Sequence, residues 1–60
     1  MQGKVTIYLK DNQTIHIHRV HYILHNYDID ALEIGYNEVG SCIVKTCRYD
    51  LKLVDSIMLK

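Results

Sequence analysis

Apolar and polar residues alternate from the start of the chain. Val5, Ile7 and Leu9 fall on one side and Thr6, Tyr8 and Lys10 on the other, the period-two pattern of a half-buried strand. Asp11-Asn12-Gln13 then supplies turn chemistry, because Asp and Asn tolerate positive φ and bond to their own backbone. Alternation resumes with Ile15 and Ile17 against Thr14, His16 and His18, which predicts a β-hairpin over residues 4–18. From Val20 the period changes. Val20, Ile23, Leu24 and Tyr27 are spaced as on a helical face, yet the stretch is short and rich in β-formers. It reads as a bent continuation of the second strand, with a short helical turn as the alternative.

Asn26-Tyr27-Asp28 has turn character, and a third strand follows in which Leu32, Ile34 and Tyr36 alternate with Glu33 and Gly35. Asn37-Glu38-Val39-Gly40 is a hairpin loop, and Ser41 to Arg48 reads as the fourth strand. Tyr49-Asp50-Leu51 breaks the alternation as a single helical turn. Val54 to Leu59 is the last strand, with Ile57 and Leu59 on the core side. These elements make one all-β domain over residues 1–60, either a small five-stranded SH3-like or Sm-like barrel or a strongly bent antiparallel sheet.

Composition supports this reading. Thirteen of the nineteen Val, Ile and Leu residues are β-branched, which favours pleated sheet. A 60-residue chain buries only about 60% of the surface its unfolded form exposes, so stability is marginal and a staple or a partner is expected. Two cysteines give no disulfide framework, and proline is absent, so strand edges lack that protection. Homo-oligomerisation is the expected remedy. The opening MQGKVTIYLKD does not resemble a signal peptide, and no apolar run approaches the roughly 20 residues of a membrane span. A cytoplasmic protein with no membrane contact is expected.

Seven basic and seven acidic residues cancel, which argues against binding nucleic acid through phosphates alone. His16, His18, His21 and His25 cluster in sequence, and His16 with His18 could share a strand face toward a metal. Solvent-facing polar positions explain them better, and no cofactor is expected. Cys42 and Cys47 project to opposite faces of one strand, with Cys42 assigned to the core beside Val44. Five tyrosines without Phe or Trp give every aromatic ring a polar tip, a feature of interfaces, and Tyr8 and Tyr22 are the candidates for exposed rings. Lys45, Arg48 and Tyr49 form the one basic grouping on a strand and complete the candidate binding set. Asp28, Asp30 and Glu33 are read as turn and solubility residues.

The stretch Val5-Thr6-Ile7-Tyr8-Leu9-Lys10-Asp11-Asn12-Gln13-Thr14-Ile15 resembles the opening hairpin of SH3-like and Sm-like barrels. Tyr49-Asp50-Leu51-Lys52-Leu53-Val54-Asp55-Ser56-Ile57-Met58-Leu59 is similar to their closing turn and final strand. Taken whole, the chain resembles the small β-proteins carried by phages and mobile elements of Gram-positive bacteria. That resemblance implies a protein that binds and inhibits a host protein. Lys45-Thr46-Cys47-Arg48-Tyr49 lacks the glycine- and asparagine-containing loop with which Sm-like proteins hold RNA bases, so nucleic-acid binding is not carried over. The expected function is a non-enzymatic module that binds another protein. The first alternative is an oligomeric sponge or sensor, with a small anion or nucleotide held between subunits by Lys45, Arg48 and histidines, and the second, behind it, is an Sm-like nucleic-acid binder.

Overall fold

The computed structural model describes residues 3–60. Five strands form one antiparallel sheet: β1 (Gly3–Leu9), β2 (Thr14–Asn26), β3 (Ala31–Asn37), β4 (Val44–Asp50) and β5 (Val54–Leu59). Their order across the sheet is β4-β3-β2-β1-β5. A 3-10 turn, Leu51–Leu53, separates β4 from β5. Those two strands lie at opposite edges and share no ladder, so the molecule is the strongly bent sheet and not a closed barrel.

The bend is made inside β2. Its 13 residues serve two partners in succession, β1 over the first half and β3 over the second. Against β1, the pairs Gly3↔Val20 and Val5↔Ile17 leave β2 one residue longer than its partner. Against β3, the pairs Val20↔Tyr36 and Tyr22↔Gly35 do so again. Each extra residue is a β-bulge, which bends a strand and increases its twist. The two bulges flank Val20, which is fully buried at the corner. Arg19 takes up the turn with φ of 56°, the left-handed region. Residues 20–26 are therefore bent strand with no helical turn, and Tyr27 opens the turn that follows.

Folding the sheet at Val20 brings its two inner faces together. Val5, Ile7, Ile17, Val20, Leu32 and Ile34 are the buried core. Leu9, Ile15, Ile23, Tyr36, Cys47, Tyr49, Leu51 and Val54 pack around them. The predicted 4–18 hairpin forms with its turn as expected: Asn12 has φ of 71° and Asp11 Oδ1 accepts from Gln13 N at 3.1 Å. The Asn26 turn closes through Asn26 Oδ1, which accepts from Asp28 N at 3.0 Å. The 3-10 turn holds both loops, because Lys10 N donates to Leu53 O (2.9 Å) and Leu51 N donates to Asp30 O (3.2 Å). Its own start is capped by Asp50 Oδ1, which accepts from Lys52 N at 2.9 Å.

Three sequence expectations shift. The fourth strand starts at Val44, not Ser41, because Asn37 Nδ2 donates to Ile43 O (2.9 Å) and holds residues 38–43 as a loop. The helical turn lies two residues later than expected, since Tyr49 and Asp50 still pair with Leu32 and Ala31. Cys42 is exposed in the loop, and Cys47 turns inward opposite Ile34, reversing the expected core assignment.

Candidate functional site

Each bulge re-aims side chains, so the chemistry gathers where β2 bends. The first half of β2 splays away from the end of β3 and opens a cleft of about 380 Å³. Ile15 and Ile17 form one wall, Tyr36, Cys47 and Tyr49 the other, and His18, Arg19, Glu38 and Val39 stand at the rim. Glu38 is held by Lys45, whose Nζ donates to Oε1 at 2.8 Å. A smaller groove adjoins it, lined by Gly3, Lys4, His18 and Arg19. The bulge register explains the grouping: Lys4 lies between Gly3 and Val5 and therefore opposes His18 and Arg19. Three basic side chains meet there, and none has a carboxylate within ion-pair distance among the described residues.

The burial of the cleft's wall is visible in its acid–base properties. Desolvation pushes the Cys47 thiol above its ordinary value, and Cys47 Sγ points at Ile34 O (3.8 Å). Desolvation likewise raises the Tyr49 phenol, with Cys47 beside it adding to the effect. Both groups stay protonated at neutral pH and present a neutral, partly apolar surface.

The residues expected to bind are not brought together. Lys45 and Arg48, three apart on β4, project to opposite faces, and each is ion-paired. Arg48 Nε donates to Glu33 Oε1 at 2.6 Å, and Asn26 Nδ2 donates to the same oxygen at 3.1 Å. The hydrogen bond from Arg48, then that from Asn26, holds the Glu33 carboxyl below its usual range. Tyr49 lines the cleft wall. Tyr8 is half-buried in a separate groove with Thr14, Ser56 and Met58. Tyr22 is on the outer face, 37% exposed, with its ring laid across Gly35 and its hydroxyl 3.1 Å from Thr46 Oγ1.

The histidines are dispersed along β2. His16 Nδ1 is 3.2 Å from Thr6 Oγ1, His21 Nε2 donates to Asn37 Oδ1, and His25 Nε2 donates to Asp30 Oδ1 at 3.1 Å. His25 also stacks on Tyr27, ring centroids 4.1 Å apart. Among the described residues no three His, Cys, Asp or Glu side chains converge as a metal site.

Sequence reading missed Lys4 and Arg19. Neither lies in a motif, and only the bulged register sets one against the other.

A second surface is apolar. Ile57, Met58 and Leu59 are exposed on β5 at 38%, 45% and 62%. Lys4 and Lys60 exchange both backbone bonds (3.1 and 2.9 Å), so the alternate pairs Val5↔Leu59 and Ile7↔Ile57 make none. The N–H and C=O groups of Ile57 and Leu59 therefore point away from β1, toward the open edge. No helix among the described residues is long and apolar enough to cross a membrane. Comparison with protein-family models, curated proteins and solved structures finds no match.

Proposed function

We propose that this chain is a small, non-enzymatic interaction module that pairs its β5 edge with a strand of another protein. The observation that carries the reading is the edge itself: outward backbone groups at Ile57 and Leu59 beside exposed Ile57, Met58 and Leu59 side chains. Natural sheets blunt such an edge with proline, charge or a cover, and strand addition satisfies the backbone groups and buries the side chains in one step. A second copy of the chain can supply that strand about a two-fold axis, which makes a homo-oligomer the first partner to test. Binding is favoured over catalysis by where the reactive side chains lie. His16, His21, Glu33 and Cys47 are each engaged in a bond that ties one strand to another, and His25 in one to Asp30 of the β2–β3 turn.

Inhibition of a host protein in the cytoplasm is the biological setting that the resemblance to phage-borne β-proteins suggests. Sedimentation at micromolar concentration should give a mass of at least two chains. Leu59→Pro removes an outward N–H without touching the β1 ladder and should lower that mass. A wild-type monomer would overturn the self-pairing, and an unchanged mass in Leu59→Pro would remove β5 as its site.

A further inference from the structure

The β2 bulge holds a feature that edge pairing does not use. Lys4, His18 and Arg19 meet in one groove, and Arg19 also stands at the mouth of the larger cleft with its apolar walls. We infer that this is a binding site for a small phosphate monoester with a flat apolar body, of the class of a free nucleoside monophosphate. The phosphate is held by Lys4, His18 and Arg19, and the body lies between Ile17 and the rings of Tyr36 and Tyr49.

Two observations, joined by the chemistry of a phosphate, support this assignment. Lys4 and Arg19 are cations without a carboxylate partner among the described residues, in a chain with no net charge. A phosphate monoester carries about −1.5 to −2 at neutral pH and offers three acceptor oxygens, which match two fixed cations and a histidine. Arg presents a planar fork suited to two of those oxygens. The cleft, at about 380 Å³, lies at the small end of the roughly 300–1,000 Å³ range of ligand sites, which suits a mononucleotide-sized molecule.

The backbone gives a further reason. A non-glycine residue at positive φ is strained, and such strain persists where surrounding structure enforces it, often at ligand sites. Arg19 has φ of 56° in the middle of a strand. Glycine would adopt that conformation without penalty, so the arginine side chain is retained at a cost in stability. Glu38 is the acidic group at the rim, and its pairing with Lys45 removes its repulsion of an incoming phosphate.

The test is a titration of the intact chain with adenosine monophosphate, followed by amide and side-chain NMR shifts at low and at physiological salt. Shifts should concentrate at Lys4, His18, Arg19, Ile17, Tyr36 and Tyr49, and affinity should fall as salt rises. Adenosine without the phosphate, and inorganic phosphate alone, should each bind at least tenfold more weakly. Arg19→Gly suits the backbone and keeps the fold, and it should weaken the nucleotide at least tenfold. Lys4→Gln should weaken it as well. Absence of binding at millimolar nucleotide would overturn the proposal, as would equal affinity in Arg19→Gly. Tighter binding of a 5′-phosphorylated trinucleotide than of the monophosphate would overturn the small-ligand assignment in favour of nucleic acid.

Discussion

Replacing Gly35 with alanine should destabilise the protein through a single contact. A Cβ built at Gly35 would come closer to Cε2, Cδ2 and Cζ of Tyr22 than real Cβ atoms come. Gly35 is paired with Tyr22 in the β2–β3 ladder and its backbone is buried under that ring. The ring must leave, and its hydroxyl then loses Thr46. Overpacking of this kind costs about 1–3 kcal/mol, and the lost hydrogen bond adds about 1 kcal/mol. Removing a glycine from a strand returns about 0.5–1 kcal/mol. The net loss is about 2 kcal/mol, and at roughly 4–8 °C per kcal/mol for a domain of this size the midpoint should fall by about 8–16 °C.

Thermal and urea denaturation of four proteins decide the matter: wild type, Gly35→Ala, Tyr22→Ala and the double variant. In the Tyr22→Ala background the ring that the new methyl would strike is gone, so Gly35→Ala should become neutral or slightly stabilising there. Strong coupling between the two sites is the signature of direct contact. An equal loss in both backgrounds would refute the reasoning, because the damage would then come from the backbone and not from the ring.

Acid should weaken the fold through Glu33. Its folded value lies below the ordinary 4.5, so its contribution is complete above that pH and is lost as pH falls through the lower folded value. Glu33→Gln should flatten the acid limb of a melting-temperature profile, and an unchanged limb would remove Glu33 as its source. The thiols should differ: Cys42 is exposed, whereas Cys47 faces the core with its thiol raised by burial. A thiol reagent should therefore label in two phases, with Cys42→Ser abolishing the fast one. Tyr8 shares a groove with Met58 beside the β5 edge, so Tyr8→Glu should lower the sedimenting mass as Leu59→Pro does.

What could be read in advance was local. Val5, Ile7 and Leu9 alternate against polar neighbours, and a turn signal separates them from Ile15 and Ile17, so sequence distance alone defines the first hairpin. Around β4 the same logic fails. Cys42-Val44-Thr46 and Ile43-Lys45-Cys47 are equally plausible inward sets, and the choice is made by the pairing of Cys47 with Ile34, thirteen positions away. The opening between β4 and β5 is also invisible to periodicity, since closure depends on a ladder between residues far apart in the chain. The cationic groove has the same origin. Alternation places His18 correctly as a polar position, but an inserted residue shifts the parity at Arg19, and the approach of Lys4 follows only from that shift.

The continuity of β2 has a consequence for how the molecule comes apart. One unbroken strand supplies the central ladder of both halves, with β1 and β5 on one side and β3 and β4 on the other. Neither half can melt as a separate unit, because Val5, Ile7 and Ile17 of one lie in the same buried cluster as Leu32 and Ile34 of the other. Opening should therefore be all-or-none, except for fraying at the outer strands. A chain of this length, with no cross-link and a sheet left open, gains from that coupling a cooperativity that its small interior could not supply alone.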